Sequence, residues 1–335
     1  MPLDIAIDAI DFLFKQNPEE KRKSICFFGG EPLLEWDTIQ ACIMYAKQCY
    51  GKDNKVSFTI TTNGTLLDTE KIDFLQKNNV RLVVSTDGNK DTQNHNRPLH
   101  CGGQTHWLVE DNLQSLKERK YPFTIRQVIY HESANNFYQD FLYLSQFPER
   151  VIFMPDFFHF WNADEKNSFF QEIKKLSDHY ATDPAALKVK DFEVLIKQHA
   201  RYYNDELERD KHLYFCKCGT PNDHHIAVDP NGNIYTCQDI VNYNYDTPFC
   251  IGNIYTGFDI DKQMALYQYL QSNKRCGDRN CEDCKAMYFC KDACIVKNYF
   301  ITNDIIKCPD FQCEYNRYMY DISKDLYNKL YVNKR

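Results

Sequence analysis

Apolar and polar positions alternate along nearly the first half of the chain in a way that predicts strands and helices in turn. The apolar runs of strand length span residues 24–28, 56–62, 81–85, 124–130 and 150–154. The stretches with helical spacing span residues 4–14, 68–78, 107–118 and 137–146. One more helix is expected after Asp37, which is placed to cap it. Strands and helices that alternate at this period are typical of parallel βαβ units.

The five predicted strands are mostly apolar on both faces, which fits a partial barrel better than a sheet with one face in water. We therefore predict an α/β fold with a partial TIM-like barrel. Unusual segments follow three of the strands, at Gly29–Pro32, Thr61–Gly64 and Ser85–Gly88. Because function gathers at the carboxyl ends of the strands in such barrels, these segments are candidate binding sites.

The second half of the chain has a different texture. Residues 162–211 are polar and helical, with a break at Asp183-Pro184. Further on, residues 225–228 and 233–236 flank an Asp-Pro-Asn-Gly turn, which predicts a β-hairpin. The predicted domains are thus a barrel at 1–160, a helical linker at 161–212 and a small cysteine-rich α+β domain at 213–335.

Eleven of the 15 cysteines lie at or beyond Cys216. Four of these, Cys281, Cys284, Cys290 and Cys294, have the spacing C-x2-C-x5-C-x3-C. Thiolates placed this way converge on a soft metal centre, because deprotonated sulfur needs a cation to offset its charge. Disulfides are disfavoured because the N-terminus carries no secretion signal. From spacing alone, an iron–sulfur cluster and a four-cysteine zinc site remain equally good interpretations.

Length and charge narrow the class of protein. A chain of 335 residues is long enough for two domains with a real core. The net charge of -7 argues against a general nucleic-acid binder, and no apolar run reaches the roughly 20 residues that span a bilayer. So many closely spaced cysteines indicate metal ligands in a reducing, cytoplasmic compartment.

Taken together, these segments and cysteines resemble the radical S-adenosylmethionine (SAM) enzymes with a C-terminal SPASM domain, over essentially the whole chain. The subfamily is similar to the anaerobic sulfatase-maturing and peptide-maturing enzymes. The resemblance implies a (β/α)6 barrel that here lacks its first strand. It also implies that SAM is bound by Gly29, Gly30, Glu31, Ser85, Asp87, Arg97 and Asp156.

The SAM residues suit these roles physically. A glycine pair lets the backbone approach a ligand closely, and Glu31 can accept a charge-assisted bond from the SAM ammonium group. Ser85 and Asp87, two residues apart on an extended strand, point to one side and suit two ribose hydroxyls. Each has a plainer alternative: a strand-ending turn for the glycines, a helix cap for Asp87 and a surface ion pair for Arg97.

The resemblance also assigns the cysteines to two auxiliary [4Fe–4S] clusters. One would take Cys218, Cys237 and Cys294, with Cys216 as the fourth ligand. The other would take Cys281, Cys284, Cys290 and Cys313, with Cys308 competing for the last position. The implied function is modification of a peptide or protein by a SAM-derived 5′-deoxyadenosyl radical, with flavodoxin or ferredoxin as reductant.

Two departures from the family pattern qualify this prediction. The C-x3-C-x2-C motif that holds the SAM-binding cluster is absent from the sequence. We therefore expect that the chain starts after this motif and does not cleave SAM reductively by itself. The third cluster is expected only in a full-length enzyme. Gln238 stands where sulfatase-maturing enzymes have an aspartate, and Asp239 follows as the candidate catalytic residue. Formylglycine generation, a non-catalytic iron–sulfur or peptide-binding module and a zinc-stabilised binding protein remain the alternatives.

Overall fold

The computed structural model describes most of the chain. The described residues are 1–53, 55–203, 218–221, 225–241, 247–272, 281, 283–287, 289–290 and 294–332. One predicted cluster ligand, Cys216, lies outside them.

Five parallel strands form the main sheet, in the order in which they occur along the chain. They are β1 (Arg22–Phe27), β2 (Lys55–Thr62), β3 (Val80–Ser85), β4 (Phe123–Ile129) and β5 (Arg150–Pro155). In β4 every second residue, beginning with Phe123, is buried, and the residues between them are only half buried. This alternation distinguishes a face packed under helices from a face toward the barrel interior. The predicted parallel α/β sheet is confirmed.

Eight helices of the described residues surround or follow this sheet. They are α1 (Leu3–Lys15), α2 (Trp36–Tyr50), α3 (Thr69–Lys77), α4 (Lys90–Asn96), α5 (His106–Glu118), α6 (Phe137–Ser145), α7 (Ala163–Thr182) and α8 (Lys190–Tyr203). The prediction that Asp37 caps α2 is wrong, because the helix begins one residue earlier. Asp37 lies in the first turn, where its charge favours the helix dipole. Sequence periodicity missed α4, which is short and polar throughout.

The segment predicted as a linker, 161–212, contributes two helices to the main hydrophobic core. Phe169, Ile173 and Leu176 of α7 are fully buried there. A later helix, α11 (Asp310–Tyr327), packs on α7 and α8 and adds buried residues such as Met319 and Leu326 to the same core. The end of the chain is therefore tied to the barrel.

A second, antiparallel sheet begins the cysteine-rich part. Its strands are β6 (Ala227–Val228), β7 (Asn233–Tyr235), β8 (Cys250–Asn253) and β9 (Gly257–Phe258). The predicted hairpin is confirmed: Asp229 accepts N–H bonds from Asn231 and Asn233 across the turn, and Gly232 has a φ of +79° that favours glycine. The helices α9 (Ile260–Ser272) and α10 (Ile295–Thr302) follow.

Cys26, Cys42 and Cys49 lie on apolar faces in the sequence, which predicts that all three belong to the core. Cys42 is buried, but Cys26 and Cys49 are exposed, so that prediction is wrong for both. Cys26 lies on β1, an edge strand of the described sheet, and Cys49 lies in the last turn of α2, beyond the final buried residue, Ala46. A search of the described helices finds none with the length and apolar character needed to cross a membrane.

Candidate functional site

The predicted SAM residues follow the carboxyl ends of β1, β3 and β5, which a parallel sheet brings to one edge. At the first of these ends, the Glu31 carboxylate joins two strands. Its Oε1 accepts from the Leu33 N–H at 3.0 Å and the Thr62 hydroxyl at 2.7 Å, and its Oε2 accepts from the Asn63 N–H at 2.7 Å. Because a carboxylate has about four acceptor positions, Oε2 can accept one more donor.

The two glycines before Glu31 border open space. Gly29 has a φ of +148°, a backbone conformation that residues with a side chain rarely adopt. A Cβ atom built at Gly29 or Gly30 would have no neighbouring atom within 4 Å. The backbone here can therefore approach a ligand without obstruction.

At the end of β3, Asp87 and Arg97 form an ion pair. Arg97 donates from Nε to Asp87 Oδ2 at 2.7 Å and from Nη2 to Oδ1 at 3.0 Å, and Val128 N–H adds a bond to Oδ1 at 3.2 Å. The Asp87 side chain is 0% exposed and that of Arg97 26% exposed. Burial opposes the charge of Arg97, but Asp87 outweighs it and the pKa of Arg97 is raised. The Nη1 group of Arg97 has no partner among the described residues.

Ser85 and Asp87 are the two residues predicted to bind the ribose hydroxyls. Ser85, at the end of β3, is half buried and lies opposite Arg126 of β4 in the sheet register. Asp87, predicted to bind a ribose hydroxyl, has its carboxylate directed to Arg97 instead of open space. The geometry makes Asp87 a positioning residue for Arg97.

Asp156 follows β5 and is held from several sides. Its N–H donates to Ile129 O at 2.8 Å, and its carbonyl accepts from Trp161 Nε1 at 2.7 Å. Its carboxylate accepts from Phe158 N–H at 2.9 Å and bonds to His159, which raises the pKa of His159. A contact with SAM through this backbone would use the second lone pair of the carbonyl oxygen.

A buried carboxylate that the sequence analysis missed supports the segment that follows β3. Asp140 of α6 accepts from Asn89 N–H at 2.9 Å and the Thr92 hydroxyl at 2.7 Å. Gly88 leaves room for it, since a Cβ there would lie 2.4 Å from Asp140 Cγ. Burial raises the pKa of Asp140 to about 6. The signal in the sequence was an aspartate on the apolar face of α6, next to Phe137 and Phe141.

Three of the cysteines assigned to one iron–sulfur cluster lie in or against one small group of buried apolar residues. Cys237 is buried in it, and Cys218 and Cys294 pack against it. A Cβ at Gly219 would lie 2.2 Å from Thr236 Cγ2, which places the chain at Cys218 beside the chain at Cys237. Burial, helped by the nearby Asp239 and Cys294, raises the pKa of Cys237 to about 12.

The cysteines of the other cluster lie in tight turns and next to α11. Cys284 N–H donates to Cys281 O at 3.1 Å, and Asn316 Nδ2 donates to Cys290 Sγ at 3.2 Å. Asn316 stands one turn after Cys313 in α11, so the two share a helix face. Cys308, the competitor of Cys313, precedes this helix and is 1% exposed.

The donor set suits an iron–sulfur cluster. Backbone N–H groups of Asp239 and Lys297 point at the sulfurs of Cys237 (3.4 Å) and Cys294 (3.5 Å), as the Asn316 amide does at Cys290. Hydrogen bonds of this kind tune cluster sulfurs. Within the described residues, no three His, Cys, Asp or Glu side chains are arranged to hold a metal ion, and Cys216 lies outside those residues.

The candidate catalytic residue, Asp239, is exposed and adjoins the first group of cysteines. Its N–H donates to Cys237 Sγ at 3.4 Å and its carboxylate helps to raise the pKa of that thiol, whereas the preceding Gln238 pairs with His225 Nε2 at 3.1 Å. Asp239 therefore lies beside the Cys237 sulfur, although it stands one residue later in the sequence than the aspartate expected from the sulfatase-maturing enzymes.

A cavity of about 430 Å³ lies between the sheet, α8 and α11. On the sheet side it begins at Arg126 and Met154, and on the other side it ends at Asn316, which bonds to Cys290. Because Arg126 is the register neighbour of Ser85, the cavity adjoins both the predicted SAM site and the second cysteine group.

This chain is similar to known proteins in sequence and in fold. Residues 4–142 match the model of the Radical SAM superfamily. The cyclopropyl synthase TigE of Paramaledivibacter caminithermalis is 24% identical over 85% of this chain and 56% of its own length, so the chain spans about half of that relative. A cysteine-type anaerobic sulfatase-maturating enzyme of Clostridium perfringens is 25% identical over 83% of this chain and 75% of its own.

Solved structures show the same fold. Native anSMEcpe with bound AdoMet superposes with a TM-score of 0.80 at 18% identity, over 100% of this chain and 91% of that one. Streptococcus suis SuiB bound to S-adenosylmethionine gives a TM-score of 0.59 at 17% identity, over 92% and 70%. The chain therefore contains a radical SAM domain over residues 4–142, and its homologues are anaerobic sulfatase-maturing and TigE radical SAM enzymes.

Proposed function

We propose that this chain acts in a radical SAM enzyme that modifies a side chain of a peptide or protein substrate. The cavity carries this proposal, because its lining runs from Arg126, the register neighbour of Ser85, to Asn316, which bonds to Cys290. Bound there, a substrate side chain would face Ser85 from the β4 side and the Cys290 group from the α11 side.

Two of the predicted SAM contacts, Glu31 and Arg97, have a free group to offer. Glu31 Oε2 would accept from the SAM ammonium group, and Arg97 Nη1, held by the Asp87 pair, would donate to a SAM oxygen. Gly29 and Gly30 would let the backbone approach the methionine part. When bound and reduced, SAM supplies the 5′-deoxyadenosyl radical, which takes a hydrogen atom from the substrate and leaves as 5′-deoxyadenosine.

The auxiliary clusters would be held by Cys216, Cys218, Cys237 and Cys294, and by Cys281, Cys284, Cys290 and Cys313. They would supply one-electron transfer, with a flavodoxin or ferredoxin as the external reductant. The hydrogen bonds from amide N–H groups to the sulfurs of Cys237, Cys290 and Cys294 support this assignment, because they stabilise negative charge on those sulfurs.

Two solved neighbours have a peptide bound: anSMEcpe with the Cp18Cys peptide, and SuiB with its precursor peptide SuiA. These support a peptide or protein substrate here. Formylglycine generation in a sulfatase is a second candidate, favoured by the position of Asp239 beside the Cys237 sulfur, to which its N–H donates. Cross-link formation, through a thioether or carbon–carbon bond, is the first candidate because Gln238 replaces the expected aspartate.

The test is metal content together with SAM binding. Anaerobically reconstituted protein should carry about eight irons, as two [4Fe–4S] clusters. It should bind SAM, and Glu31→Gln should weaken that binding. Stoichiometric zinc without iron would refute the cluster assignment, and SAM binding that ignores Glu31 and Arg97 would refute the cofactor site.

A second experiment tests catalysis. The 335-residue sequence contains no C-x3-C-x2-C motif, so we expect this polypeptide alone to form no 5′-deoxyadenosine with dithionite. Fusing a segment that carries a C-x3-C-x2-C motif to the N-terminus of this polypeptide should allow formation. Formation by the polypeptide alone that disappears in Glu31→Gln would overturn this expectation. A fusion that binds iron and SAM but stays inactive with reductant would favour a non-catalytic module.

A further inference from the structure

The cavity is basic in a protein that is acidic overall. Its charged lining residues are Arg126, Lys190, Lys297 and Asp191, whereas the chain has a net charge of -7. An excess of cations in a concave site attracts anions, because low-dielectric walls concentrate the field.

Two of the cations have no carboxylate partner among the described residues. Within the described part of the chain, the Arg126 guanidinium has one polar contact, a bond from Nη2 to Met154 Sδ at 3.3 Å. The ammonium group of Lys297 lies 4.5 Å above the ring of Phe157. Both side chains are half buried, and a cation removed from water is costly unless it is paired.

The remaining charges of the cavity are already engaged. Asp191 accepts from Phe153 N–H at 3.0 Å, in the first turn of α8. Lys190 Nζ lies 3.8 Å from Glu193 Oε2. Asp191 keeps its negative charge, so the charged lining has three cations and one carboxylate, and an incoming anion would meet Arg126 and Lys297 as the two cations without a carboxylate partner among the described residues.

We propose that the cavity takes the carboxylate of an acidic substrate residue, a glutamate or aspartate side chain, between Arg126 and Lys297. The proposal rests on the proposed function and names its substrate class: an acidic peptide segment. The apolar part of the lining, including Met154, Phe157 and Met319, suits the methylene groups of such a side chain. Arg126 would bind the carboxylate in a bidentate manner, which a lysine cannot reproduce.

A competing explanation is that the two cations only balance the charge of the cluster thiolates. Lys297 follows Cys294 by three residues and donates its N–H to that sulfur. This explanation predicts a changed cluster potential on mutation but no preference for acidic ligands. The two explanations therefore differ in a measurable way.

The test uses the cluster-loaded chain without SAM or reductant, and two probes of matched shape, N-acetylglutamate methylamide and N-acetylglutamine methylamide. Binding is followed by saturation-transfer NMR of the probe. We expect at least tenfold tighter binding of the glutamate probe. Arg126→Gln and Lys297→Met should each abolish that preference, and Arg126→Lys should restore it in part. The control is Lys77→Gln, which removes one charge from exposed α3 and should keep the preference.

Equal binding of both probes, or a preference that survives in Arg126→Gln/Lys297→Met, would overturn the proposal. So would variants that change only the midpoint potential of a cluster, since that is the result expected from charge balance. The preference between the two probes is measured without SAM or reductant, so it is independent of SAM binding and 5′-deoxyadenosine formation, which test the proposed function. A failed substrate class is therefore distinguishable from a failed enzyme assignment.

Discussion

The ion pair between Asp87 and Arg97 allows a quantitative test of the SAM site. Asp87→Asn keeps the shape of the side chain but removes the charge that two Arg97 donors share, at 2.7 and 3.0 Å. Removing one partner of a buried pair costs about 3–5 kcal/mol, because the other charge remains without compensation. Since the Arg97 side chain keeps 26% exposure and can hydrate its free end, we expect the lower end, about 3 kcal/mol.

The double variant Asp87→Asn/Arg97→Met separates the pair from its surroundings. It removes both charges, so its loss of unfolding free energy should be smaller than the sum of the single losses by about 1–3 kcal/mol. The unfolding free energy comes from urea titrations followed by far-UV circular dichroism, at equal iron content for every variant. SAM affinity, from equilibrium dialysis, should fall in both single variants, because Asp87 holds Arg97 in place.

A matched surface pair provides the control for this cycle. Asp73 pairs with Arg119, and its side chain is 58% exposed. Asp73→Asn should cost less than about 1 kcal/mol, as is usual for exposed pairs, and leave SAM affinity unchanged. Additive losses in the Asp87/Arg97 cycle, or an Asp87→Asn cost no larger than that of Asp73→Asn, would contradict the reasoning.

Three further predictions follow from the structure. Cys284→Ala should lose about four of about eight irons, while Cys42→Ala, which changes a core thiol, should lose none; iron and sulfide assays decide this. Cys313→Ala should show the same loss as Cys284→Ala and Cys308→Ala should not, and the reverse result would make Cys308 the ligand. Because burial raises the pKa of Asp140 to about 6, the folded state binds this proton more tightly than the unfolded state, so the stabilisation from protonated Asp140 is present below about pH 4 and lost as pH rises through about 6. Relative to Asp140→Asn, wild type should therefore lose up to about 3 kcal/mol of unfolding free energy between pH 4 and pH 7, and a pH-independent difference in urea midpoints would refute the shift.

The main sheet could be predicted from the sequence because its strands carry a strong local signal. The apolar runs are short, most of them have apolar residues on both faces, and they end at glycine or polar turns, as at Thr62-Asn63-Gly64. Helix α4 carries no such signal: it is held by the Asn89 cap and by Thr92 bonded to Asp140, a residue far along the chain. Local pattern cannot reveal an element whose stability comes from a distant partner.

The candidate site was predictable in its location and not in its geometry. Parallel topology alone places Glu31 and Ser85 at one edge of the sheet. That Glu31 would bond to Thr62 and Asn63, or that Asp87 would turn to Arg97, depends on loop conformations that spacing does not encode. The cavity lay further out of reach, because Arg126 and Lys297 are brought together only by packing of elements that are distant in sequence.

Helix α11 decides whether the two halves of the molecule can act on one substrate. Its buried side, with Tyr315 and Met319, belongs to the core that also holds α7 and α8. Its adjoining residue Asn316 lines the cavity and bonds to Cys290, so one rigid element fixes both the cavity wall and a cluster ligand. A displacement of one helical turn, about 5.4 Å, would break the Asn316–Cys290 bond and move the wall away from Arg126. Under the proposed function, core packing would therefore set the distance between a substrate side chain, the predicted SAM edge and the Cys290 group. This packing links residues that a division of the sequence at 160 and 213 would place in separate domains.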